Sequence, residues 1–90
     1  MIETVRKKQR RASELAEIWH SYFPASAIGI EFWMVNLDDF PFDVLAFAIK
    51  QTARKQVQLN GQMTLQQMTS YIRGCCYANL RSGSIRGLAA

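Results

Sequence analysis

The stretch NLDDFPFDVLAFAIKQTARKQVQ, residues 36–58, decides how this chain folds. It opens on a polar turn, and Pro41 then suits the first turn of a helix, where its missing N–H would have no partner anyway. Asp38, Asp39 and Asp43 read as acids placed at the positive end of that helix. From there Val44, Leu45, Ala48, Ile49, Thr52 and Ala53 recur at helical spacing, which predicts a helix over 41–58 with one apolar face. Lys50, Arg54 and Lys55 decorate its last turns, where cations complement the dipole. Asn60-Gly61 breaks the chain.

The pattern repeats on both sides. Downstream, Thr64-Leu-Gln-Gln67 is a capping box. Met68, Tyr71, Ile72, Cys75 and Asn79 follow it at helical spacing, predicting a helix over 64–81. Ser82 to Ala90 is small-residue sequence, expected to be a flexible tail. Upstream, residues 27–37 read as a short helix. Ile28, Phe32 and Val35 form one stripe, and Ile30, Trp33, Met34 and Leu37 form much of another. An element apolar nearly all round is central or part of an interface, and Phe32 and Trp33 are its candidates for a contact between copies. A strand over the same residues is the alternative, but the chain offers it no second strand to pair with. Leu15, Ile18, Trp19 and Tyr22 predict a first helix over 12–23, with Ser13 as its N-cap and Pro24 ending it. Residues 1–11 read as a basic arm, or as further turns of that helix. The expectation is one all-α domain over residues 1–90, a compact bundle of about four helices with a flexible basic arm and a small tail.

Ninety residues carry one domain of modest core, and 49% apolar residues supply it. So small a core leaves apolar surface exposed, which points to a homo-oligomer or a partner. No signal-peptide pattern or apolar run of membrane-spanning length is present, so the expected place is cytoplasmic. Cys75 and Cys76 are adjacent. Neighbours on a helix point about 100° apart, which places them poorly for pairing with each other. They read as buried thiols, with no metal or redox spacing around them.

Charge is distributed unevenly. All seven acids lie at or before Asp43, among only five of the cations. Beyond it stand Lys50, Arg54, Lys55, Arg73, Arg81 and Arg86 with no carboxylate, inside a chain of net charge +4. Such a segment attracts a polyanion or an acidic protein surface. Lys50 with Arg54 and Arg73 with Arg81 are spaced to share helix faces, and two such faces side by side would form one positive surface. Tyr77 falls between Arg73 and Arg81 and is the aromatic expected to be exposed among them. Most of Trp19, Phe32, Trp33, Phe40, Phe42 and Phe47 read as core. A second basic group, Arg6, Lys7, Lys8, Arg10 and Arg11, suits phosphate tracking, because clustered cations release counterions from nucleic acid. Catalysis has little to stand on. His20 is the sole histidine, there is no Gly-rich phosphate loop, and neither a metal site nor a cofactor is expected.

Three segments, Glu31-Phe-Trp33, the run from Phe42 to Lys50 and Tyr71-Ile-Arg-Gly-Cys-Cys76, give residues 30–80 a family likeness. The stretch resembles the DnaD-like domain of bacterial and phage primosomal replication proteins. In the last segment that family carries Tyr-Ile-x-Gly-Ile-Leu, and commonly a tryptophan where this chain has Asn79. The resemblance implies an all-α domain that binds DNA weakly and helps recruit or remodel a replication complex. Together with the charge pattern it predicts a non-enzymatic DNA-associated accessory protein of phage or plasmid type. Its contact surface would be Lys50, Arg54, Lys55, Arg73, Tyr77 and Arg81, with the basic residues from Arg6 to Arg11 alongside. The alternatives are a small phage-type inhibitor or adaptor docking on a host protein, and a self-assembling structural subunit.

Overall fold

The computed structural model describes residues 2–26 and 28–82. The tail expected from Ser82 onward therefore lies, beyond Ser82 itself, outside the described residues, and Arg86 with it. Four α-helices make up the described fold: α1 (Ile2–Tyr22), α2 (Ile30–Asp39), α3 (Phe42–Gln58) and α4 (Leu65–Ser82). No strand forms among these residues. Helix α1 packs against α2 and α3, and α3 packs against α4. Among the described residues no helix is long and apolar enough to cross a membrane.

Local chemistry sets most of the boundaries. Thr64 and Gln67 form the reciprocal cap of α4: the Gln67 N–H donates to Thr64 Oγ1 (3.1 Å) and the Thr64 N–H donates to Gln67 Oε1 (2.8 Å). Helix α3 ends in a Schellman motif, with the Gly61 N–H on the Gln56 carbonyl (2.8 Å) and the Asn60 N–H on that of Val57 (3.1 Å). Asn60 and Gly61 both take positive φ, 57° and 75°, which these two residue types tolerate best. Gln56 locks the turn from the side, its amide donating to the Met63 carbonyl (3.0 Å) and accepting from the Met63 N–H (2.9 Å).

Two boundaries differ from the expectation. Helix α1 starts at Ile2, so the stretch from Arg6 to Arg11 is helical and not a flexible arm, and Ser13 lies inside the helix. Arg, Lys and Gln are good helix formers, and contacts of Lys8 and Arg11 with the following helices, together with buried Ala12, fix these turns to the body. Helix α2 is shifted toward the C-terminus, from an extended Gly29 N-cap to Asp39. Asp38 and Asp39 therefore occupy the last turn of α2 and do not cap α3. Pro41 is the N-cap of α3, and Asp43 stands in its first turn.

The core joins Ala12, Leu15 and Trp19 of α1, Trp33 of α2, Phe40 of the α2–α3 turn, Val44, Leu45, Ala48 and Ile49 of α3, and Met68, Ile72 and Cys76 of α4. Trp19 is its centre, with Trp33 at 6.1 Å and Phe23 at 4.2 Å between ring centroids. Trp33 is fully buried inside the protomer, and Phe32 packs edge-on against it at 4.9 Å. Trp33 therefore offers a second copy no surface, and Phe32 is partly committed to the core. On α4 it is Cys76, one position beyond the expected Cys75, that enters the core, while Cys75 stays partly exposed.

Burial pushes the Cys76 thiol up to about 12. The unfolded chain releases that proton near its ordinary value of 9.0, so stability is complete below pH 9 and falls as pH rises toward 12. From Cys76 alone, the unfolding constant grows by up to about tenfold per pH unit in that window. Urea titrations at pH 8 and pH 10.5, on the native chain and on Cys76→Ala, check this, and the variant's dependence is the shallower. Gly74 sits inside α4 with nothing within 4 Å of a built Cβ. Gly74→Ala is expected to stabilise the domain by about 0.5–1 kcal/mol in the same denaturation assay, through the helix preference alone.

Candidate nucleic-acid interface

The site is built around the α2–α3 turn, residues 38–42. Asn36, Asp38 and Asp39 lie in the last turns of α2, where the helix dipole presents its negative end and a carboxylate is disfavoured. Two cations from opposite ends of the sequence compensate. Lys8 of α1 pairs with Asp38. Arg73 of α4 donates to Asn36 Oδ1, reaches Asp39 Oδ2 at 3.5 Å and donates to the Tyr77 hydroxyl at 3.2 Å. Asn36 is buried, and its Nδ2 donates to the Phe32 carbonyl at 2.7 Å, so Arg73 supplies the partner its oxygen needs.

The aromatic rings of the turn hold the same groups. The Arg73 guanidinium lies over Phe40 at 5.5 Å and over Tyr77 at 5.7 Å, and Tyr77 stacks edge-on against Phe40 at 5.0 Å. On the other side Arg11 lies over Phe42 at 4.8 Å, with Glu14 at 3.9 Å. The turn thus collects Lys8 and Arg11 from α1 and Arg73 and Tyr77 from α4. Arg6, Lys7 and Arg10 of α1 and Arg81 of α4 are exposed and enter no ion pair with the side chains of residues 6–26 and 28–81.

The expected contact residues differ in their surroundings. Arg73 is not a free cation: the side chains of Asn36, Asp39, Phe40 and Tyr77 engage it, and only about a third of its own side chain (35%) is exposed. Tyr77 is half exposed, as expected of it, but leans on Phe40. Lys50 and Arg54 are exposed and Lys55 partly so, none in an ion pair among the described residues. They stand on α3 beyond Phe42, and at the helical rise Lys50 and Arg54 are about 12 and 18 Å along the axis from it. No hydrogen bond, ion pair or ring contact among the described residues joins them to Arg73 or Tyr77. Arg73 meets the same α2–α3 turn as the N-terminal cations Lys8 and Arg11.

Sequence reasoning passed over Asn36, Asp38, Asp39, Phe40 and Phe42 as parts of this site. The available signal was two aspartates beside a buried-type asparagine, with no cation nearby in the chain. The geometry suits binding anions through exposed cations. No group of His, Cys, Asp and Glu among the described residues is arranged to hold a metal ion. No family model, curated protein or solved structure matches this chain.

Arg73→Met leaves the buried Asn36 oxygen without its donor and is expected to lower stability by about 1–3 kcal/mol. Arg73→Lys recovers only part of this, because an ammonium cannot address Asn36, Asp39 and Tyr77 through one planar fork. Arg81→Met, at an exposed position, is expected to stay within about 0.5 kcal/mol of the native chain. Urea denaturation of the three variants checks the order.

Proposed function

We propose that this chain is a non-enzymatic DNA-associated accessory protein, of the kind found in phage or plasmid replication, that binds the nucleic-acid backbone through its basic helical surface. The observation that carries the reading is the grouping around residues 38–42. Cations far apart in sequence are drawn to one turn, while Arg6, Lys7, Arg10 and Arg81 are exposed on the helices that supply them and pair with no described carboxylate side chain. The likeness of residues 30–80 to the DnaD-like domain points the same way.

Recognition of this type is dominated by phosphate and carries little sequence preference. Lys50, Arg54 and Lys55 add a separate positive stretch along α3, so a long strand has more than one place to touch. Electrophoretic shifts with random duplex and single-stranded DNA test the reading. With about four to six phosphates neutralised, log K on duplex falls with log salt at a slope of about −4 to −5. Arg6→Gln with Arg10→Gln is expected to weaken binding and flatten that slope by up to about two. Absence of any shift at low salt, or the same affinity at low and moderate salt, would sink the proposal.

A protein partner is the second reading, favoured by the apolar residues that α2 leaves outside: Val35 is 59% exposed and Ile30 38%. Its basic surface would then meet carboxylates. Binding that survives nuclease treatment and is lost in Val35→Asp separates this reading from the first.

A further inference from the structure

Between α1 and α2 lies a cleft of about 220 Å³ lined by Lys7, Lys8, Arg11 and Leu37. The helical repeat explains the lining. Lys7 and Arg11 are four residues apart and stack on one face of α1, while Lys8 is turned by about 100° toward α2. The lining is unusual for a surface depression: three cations above one partly buried leucine.

Among the described side chains, two carboxylates pair with these cations, and both are weakly committed. Glu14 is 3.9 Å from Arg11, and both side chains are about half exposed. Asp38 pairs with Lys8, yet its side chain is 60% exposed and it stands in the last turn of α2, where the dipole opposes it. A phosphate group offers these cations the same kind of oxygen acceptor in greater number. Releasing Asp38 costs little, because it turns into solvent it already meets.

We infer that this cleft takes a backbone phosphate of single-stranded nucleic acid on Lys7, Lys8 and Arg11, and that Asp38 is a built-in competitor holding Lys8 until the strand arrives. The inference rests on the nucleic-acid reading above and narrows it. A duplex presents its phosphates on a convex ridge with sugars and bases turned away, so it would leave the Leu37 floor empty. A single strand can set a sugar or an unstacked base against that floor while its phosphate meets the cations.

The test is fluorescence anisotropy at low salt, with a labelled oligothymidylate and a duplex of the same length as probes. Asp38→Asn is expected to tighten oligothymidylate binding by about threefold or more, a gain that misfolding cannot produce. Glu17→Gln, the same charge change at an exposed position that does not line the cleft, is expected to give a smaller gain. Lys7→Gln with Arg11→Gln is expected to weaken oligothymidylate by about tenfold and the duplex by less. The control is Lys50→Gln with Arg54→Gln, which removes the same charge from α3. Equal losses in the two double variants, or equal gains for Asp38→Asn and Glu17→Gln, overturn the cleft while leaving the wider reading standing. A native chain that binds neither probe overturns both.

Discussion

The fold closes on one side chain. Arg73 ties α4 to α2 by donating to Asn36, and its guanidinium is wedged between the Asp39 carboxylate and the rings of Phe40 and Tyr77. Without it, α2 would end in two carboxylates at the wrong end of a helix dipole, beside a buried amide oxygen with no donor. Arginine is the residue type that serves such a place: it stays charged, spreads its donors over a plane, and stacks on aromatic faces. Because the turn it grips also receives Lys8 and Arg11, its placement decides which other cations share the same end of the bundle.

Legibility in the sequence tracked the range of the forces involved. Thr64 with Gln67, Asn60-Gly61 and Pro24 act over a few residues, and each boundary they mark falls at or within a residue of its expected place. The apolar face of α3 was equally readable, since Val44, Leu45, Ala48, Ile49 and Thr52 are all buried. Misreadings came where distant residues decide. Asp38 and Asp39 look like N-terminal caps until Lys8, thirty residues away, and Arg73, thirty-four away, are seen to hold them. Trp33 looks like an interface residue until Trp19 is placed beside it. The basic stretch from Arg6 to Arg11 looks like a loose arm because its anchors lie on α2 and at the start of α3.

The charge asymmetry changes meaning by the same route. An acid-free segment from Val44 onward suggests a molecule with one positive half, but sequence halves are not spatial halves. Asp39 reaches across to Arg73 and neutralises part of it, while Lys50 and Arg54, exposed on α3, meet no carboxylate among the described residues. Surface potential therefore comes from cations that the fold leaves unpaired on both halves, more than from the run that lacks acids.

The cations fall in two settings with different physics. Lys50 and Arg54 stand on a solvated helix face, where a polyanion gains from counterion release and little else. The cations around the α2–α3 turn stand beside rings and partly buried aliphatics, where water is thinner and each charge contact counts for more. The core beneath adds a cost of its own, since the indole N–H groups of Trp19 and Trp33 are buried with no acceptor among the described residues, at about 1–3 kcal/mol for each left unpaired. A small domain already carrying that cost retains its paired charges at the turn only where they stabilise it, as Arg73 does. The Lys8–Asp38 pair is the weaker of the two, more exposed at its acid and opposed by the helix end, and so it is the one a competing anion displaces first.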